Sequence, residues 1–357
     1  MESGDRVARD RRIGAIVVGV VVAVIAVWVT VTTVNDRSPE DVVEEFLTNI
    51  AEKDVDGALA LVTRYGYGVP YGDGAAFLTP EAIDGNWWVA SVTEVGGGKY
   101  SSEITVKAVI AGPGGSAEGT FTVQEDNEEW LLSDPFVKVR FPPSPLSFVR
   151  VNGQIVPRET EVGGTEEYTL FPGLYRFYQP VEGVVDTKGA GPVLAFPEPG
   201  SGYDERPTVV PAALTPGTRT VEKLRQELRD RIDSCVGFAT PAPAADCPFA
   251  TDGEIDTPDG RRVSDIRGLT WTVGTYPEVT MADDRTNEYH PGFALRTTKP
   301  GTVTLSGSGT DTEDQPATFT VTCAVDLTGF TATVDADGGV AIAVTQNRDV
   351  ADTCRQA

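Results

Sequence analysis

Four cysteines, a single histidine and a set of aromatic side chains on glycine-rich stretches are the residues of this 357-residue chain whose types could do chemistry. Cys235, Cys247, Cys323 and Cys354 all fall in the last third. An even number of cysteines outside the cytoplasm reads as two disulfides. Three pairings exist, and Cys235–Cys247 with Cys323–Cys354 is the expected one, because each closes a short local loop. Zinc would need a different set: there is no C-x-x-C, and His290 is the only imidazole. His290 stands just before proline in NEYHPGF and reads as an incidental loop residue. Ser234 and Ser264 lie in no G-x-S-x-G context. Asp252, Asp256 and Asp259, like Asp335 and Asp337, lack the spacing and terminal glutamate of a calcium loop. Asp259-Gly260 and Asp337-Gly338 read instead as hairpin turns. No catalytic residue, metal ligand or cofactor is therefore expected, and the chain reads as a non-enzyme.

Aromatic residues offer binding surface instead. Trp87 and Trp88 are adjacent, so on a strand one ring faces the core and the other faces away. Tyr65, Tyr67 and Tyr71 alternate with glycine in RYGYGVPYGDG, where tyrosines would supply rigid contact area. That loop is no phosphate cradle, since neither Lys nor Ser/Thr follows the glycines. Phe77 and Trp130 join them as candidates to line a pocket.

These residues must be positioned by the elements around them, and the first of those is an uncharged run, Ile13–Val34. At about 1.5 Å of rise per residue it would span about 33 Å as a helix, enough for a bilayer core. Arg6, Arg9, Arg11 and Arg12 precede it and an acidic flank, Asp36 to Asp41, follows. The expectation is a cytoplasmic tail (1–12), an uncleaved single-pass transmembrane helix (13–34) and an extracytoplasmic bulk at the cell membrane. The chain carries 53 acidic and 29 basic residues, a net charge of −24. Such a field opposes nucleic acid, which is excluded as a partner.

Beyond the anchor three units are expected. Over 38–142, Ser38-Pro39-Glu40-Asp41 starts a helix with Val43, Phe46, Leu47 and Ile50 on one face. A second helix follows Asp54. From Trp87 the period turns to two, with Ile104, Val106, Ala108 and Ile110 alternating with Thr105 and Lys107, then turns at Gly112–Gly115 and Asp126–Glu128. Helices before an antiparallel meander give an α+β fold. Over 143–217, VNGQIV carries a type I′ hairpin signal and YTLFPGLYRFYQP a strand pair around Pro172-Gly173, giving a small β module and linker. Over 218–357, Val221, Leu224, Leu228 and Ile232 share a helix face, Glu227 and Arg231 form an i,i+4 pair, and several strands follow. This is expected to be a second, disulfide-stabilised α+β domain.

The helix opened by SPED, the EKDVDGALALV stretch and the closing EEWLLSDPF resemble the nuclear-transport-factor-two-like superfamily, narrowly its lumazine-binding-like, cystatin-like cone members in bacterial envelopes. That likeness covers about 100 residues and implies a cone of helices on a curved sheet. Enzymes of the superfamily place an Asp–His pair in the cone, but residues 38–142 hold no histidine. VNGQIV with LFPGLYRFY resembles β modules of teicoplanin-associated membrane proteins, which implies presentation rather than chemistry. The expected function is a membrane-anchored, extracytoplasmic binding or scaffold protein of the bacterial cell envelope, with other envelope proteins, cell-wall polymer or a small amphiphile as partners. The alternative is a ligand-binding or sensory ectodomain with an aromatic pocket in 38–142. More remote is a cone-fold isomerase or hydrolase using carboxylates alone, which would need one raised in pKa within an apolar pocket.

Overall fold

The computed structural model describes residues 37–63, 70–97, 101–127, 129–158, 165–187, 191–197, 209, 213–284, 292–344 and 353–354. The apolar run 13–34 and its basic flank lie outside the described residues. Among those described, no helix is long and apolar enough to cross a membrane.

Helix α1 (Pro39–Ala51) begins as its sequence dictates. The Asp41 N–H donates to Ser38 Oγ at 3.2 Å, and the Ser38 N–H donates to Asp41 Oδ2 at 2.9 Å, a reciprocal cap with Pro39 behind it. The Ser38 backbone bond is the main reason the Asp41 carboxyl stays below its ordinary pKa. Helix α2 (Val55–Ala60) is capped by Asp54, whose carboxylate accepts from the Gly57 N–H at 2.9 Å. Strands β1 (Trp88–Gly96), β2 (Glu103–Gly112), β3 (Gly115–Asp126) and β4 (Glu129–Ser133) form an antiparallel meander in the order β1-β2-β3-β4. Ile104, Val106, Ala108 and Ile110 of β2 are buried in one core with Phe46, Leu47 and Ile50 of α1. Gly114 and Gly115, at φ 102° and 132°, make the β2–β3 turn, a conformation side chains rarely take.

The chain then threads β5 (Val137–Phe141), β6 (Phe148–Val151), β7 (Gln154–Pro157), β8 (Glu166–Leu170), β9 (Gly173–Tyr175), β10 (Val185–Thr187), β11 (Val193–Ala195) and β12 (Leu214–Pro216). β6 and β7 form the expected hairpin around Asn152-Gly153. Only Asn152 takes positive φ there (49°), so the turn is not type I′, which needs it at both residues. The strand pair expected around Pro172-Gly173 does not form: β8 pairs with β5, and β9 pairs with β11. As a result Phe171 and Leu174, with Leu194 and Phe196 beside them, enter the core of the first sheet. In return Phe77 and Ala82 join a second core with Val139, Phe141, Tyr168 and Tyr175.

Helix α3 (Thr218–Val236) opens the C-terminal part and buries Leu224, Leu228, Ile232 and Cys235. β13 (Ile255–Asp256), β14 (Arg262–Thr275), β17 (Gly301–Asp311) and β18 (Pro316–Val325) form one antiparallel sheet. β15 (Glu278–Asp284), β16 (Gly292–Lys299), β19 (Phe330–Val334) and β20 (Val340–Val344) form the other, in that order. Strand β18 alternates exposed and buried along its length, so Phe319, Val321 and Cys323 point inward. Both sheets and α3 contribute to one core, in which the rings of Phe249 and Trp271 lie 4.9 Å apart.

Strands take 49% of the described residues and helices 16%, which corrects the expected class. Among those residues the expected α+β cone, small β module and second α+β domain give way to a mostly β protein; the transmembrane helix expected before them falls outside the described residues. The order of helix before strands had suggested α+β units. In the C-terminal part, however, eight strands cover one another as two sheets, and α3 is only a flank.

Candidate functional site

The described aromatic candidates do not converge. Trp87 is buried in the core of the first sheet, and Trp130 packs half-buried against it. Phe77 is buried in the second core, where its ring meets Tyr168 edge-on at 5.0 Å. Trp88 is 59% exposed on β1, and Tyr71 is 94% exposed. Tyr65 and Tyr67 lie outside the described residues, as does His290. The sheet face covered by α1 is filled by the chain itself: Phe46 meets Phe121 at 6.1 Å and Phe171 at 6.2 Å, and Phe196 meets Phe121 at 5.7 Å. Phe196 seats on Gly119, where an added Cβ would come within 2.6 Å of its ring.

The cysteines do converge, in the pairs Cys235–Cys247 and Cys323–Cys354. The first bridge walls a groove of about 560 Å³. One side is the last three turns of α3, presenting Glu227, Asp230, Arg231 and Ser234; the loop after it brings Phe238, Ala244 and Asp246; the floor is Val340, Ala341 and Ile342 of β20. The amphipathic register of α3 explains this: Leu224, Leu228 and Ile232 face the core and turn the charged residues outward. The loop closed by the bridge is rich in Pro and Ala; Phe249, just beyond it, is buried, and the Trp271 indole N–H donates to the Thr240 carbonyl at 2.9 Å.

Arg231 does not form the expected pair with Glu227. Its Nη1 donates to Asp246 Oδ2 at 2.9 Å and to the Asp246 carbonyl at 3.3 Å, while Nη2 donates to the Ile342 carbonyl at 3.0 Å. The guanidinium thus ties helix, disulfide loop and sheet together. Among the described residues β20 is the last strand of its sheet. The N–H and C=O of one strand residue point the same way, so the Ile342 N–H also faces away from β19. Nearby, the Tyr276 hydroxyl donates to Asp233 at 2.7 Å, which with burial raises its pKa.

Among the described residues no group of three or more His, Cys, Asp or Glu is placed to hold a metal ion. Beyond the cysteine spacing no sequence signal marks the groove, because its walls come from three separate segments. Compared with known proteins, the chain matches no family model, no curated protein and no solved structure.

Proposed function

We propose that this chain is a non-enzymatic binding or scaffold protein, working outside the cytoplasm and held at the membrane through the apolar stretch 13–34. One observation carries the preference for a scaffold: the face of the first sheet that would have to hold a ligand is filled by Phe46, Phe121, Phe171 and Phe196. The rival, a sensory ectodomain, needs some of Phe77, Trp87, Trp88 and Trp130 to line a cavity rather than fill it, and these residues are divided between two cores and the surface. The extracytoplasmic setting is supported by cysteines that are all bridged, with no free thiol. Partners are then proteins or wall polymers of the envelope, met through surface features such as the α3–β20 groove.

A photo-crosslinking amino acid at Phe238, on the groove rim, and at Trp130, against the first core, separates the readings in intact cells. A discrete protein-sized adduct from position 238 is the expected result. An adduct of small-molecule mass from position 130, with none from 238, would replace the scaffold with a ligand-binding ectodomain.

A further inference from the structure

The groove beside the Cys235–Cys247 bridge has an unbalanced charge. Arg231 is the one basic side chain among its described lining residues, and it is committed to Asp246 and the Ile342 carbonyl. Asp246 is taken up by that pair, while among the described residues no cation pairs with Glu227 or Asp230; Asp230 accepts from the neutral amide of Gln226, at 2.8 Å. The two lie three residues apart on one helix face, so their carboxylates are neighbours at the groove mouth. Across from them the surface is apolar: Phe238, 45% exposed, with Ala244, the disulfide, Val340 and Ile342. About 560 Å³ is room for a few side chains rather than a single ion.

We propose that this groove docks a basic peptide segment of a partner protein. A lysine or arginine side chain enters beside Glu227 and Asp230, its apolar neighbours cover Phe238 and Ile342, and the outward N–H of Ile342 offers the peptide one backbone donor. The assignment rests on reading the chain as a binding protein and names what it binds. Charge complementarity selects the occupant: the surplus of 53 acidic over 29 basic residues draws cationic segments toward the surface and repels acidic ones.

The test is calorimetric titration of the full-length, oxidised chain in neutral maltoside micelles, with acetyl-Leu-Lys-Leu-Lys-Leu-amide and its Glu counterpart as probes. The lysine peptide should bind saturably at one site, and the glutamate peptide should not. Glu227→Gln with Asp230→Asn should weaken the lysine peptide about fivefold, the scale of two exposed ion pairs. Phe238→Ser should weaken it as well; both variants change exposed side chains and should keep the thermal midpoint. Equal binding of both peptides, weakened by Phe238→Ser alone, would overturn the basic ligand while leaving a binding groove. No saturable binding, or binding indifferent to every substitution, would overturn the groove as a binding site altogether.

Discussion

Asp84 joins the first two cores. It pairs with Arg176, and its Oδ1 accepts from the Asn86 N–H and side-chain amide at 3.1 and 2.6 Å. Burial pushes its carboxyl up, but the bonds from Asn86 and Arg176 outweigh that and leave the pKa below its ordinary value. Its contribution is therefore fully present above the unfolded carboxyl's pKa of about 3.9 and is lost as pH falls through the lower folded value. Thermal midpoints of the wild type and Asp84→Asn should differ at pH 7 and converge below about pH 4; a gap unchanged at pH 2 would contradict this. A second pair is more buried: Arg158 Nε lies 3.0 Å from Glu166 Oε2, with side chains only 6% and 8% exposed. Arg158 also donates to the Phe141 and Pro142 carbonyls, and the Tyr168 hydroxyl donates to Glu166. Glu166→Ala strands the guanidinium and should cost about 3 kcal/mol in urea unfolding.

At the scale of elements, the seat of Phe196 on Gly119 makes the filling of the first sheet testable. Phe196→Ala should cost about 2 kcal/mol, less than a fully buried phenylalanine because the ring is half-buried. Gly119→Ala should destabilise the wild type through its clash with that ring, and much less in the Phe196→Ala background, a coupling visible in a double-mutant cycle. Local elements were legible in the sequence: the α1 cap, the alternation of β2 and the apolar stripe of α3 are short-range signals. What stayed hidden was pairing. Pro172-Gly173 looks like a hairpin turn, yet β8 and β9 bond to β5 and β11, choices set by which sheet edge is free rather than by neighbouring residues. Trp87 and Phe77 looked like ligand platforms for the same reason. Sequence marks them as large and apolar, and only tertiary packing decides whether a ring lines a cavity or fills it. The groove residues Asp246 and Ile342 meet Arg231 across 15 and 111 positions of chain, beyond any spacing rule.

For the whole molecule, both disulfides secure the C-terminal sheets. Cys235–Cys247 spans 12 positions and closes α3 onto its following loop; Cys323–Cys354 spans 31 and ties the chain end to β18, where the Thr353 N–H also donates to the Ala250 carbonyl at 3.0 Å. Loop-closure entropy gives about 3 and about 4 kcal/mol respectively. Replacing either pair by serine should lower the urea midpoint accordingly, and loss of Cys235–Cys247 should also open the groove wall. Bridges of this kind persist only in an oxidising compartment, so the location of the fold and its stability are one question. On the proposed reading, residues 37–357 work outside the cytoplasm. With every native cysteine bridged, Thr93→Cys on exposed β1 supplies a single reactive thiol. A membrane-impermeant maleimide applied to intact, non-reduced cells should label that variant fully and the wild type not at all. Labelling of Thr93→Cys only after lysis would place the fold inside the cell and contradict an extracytoplasmic location.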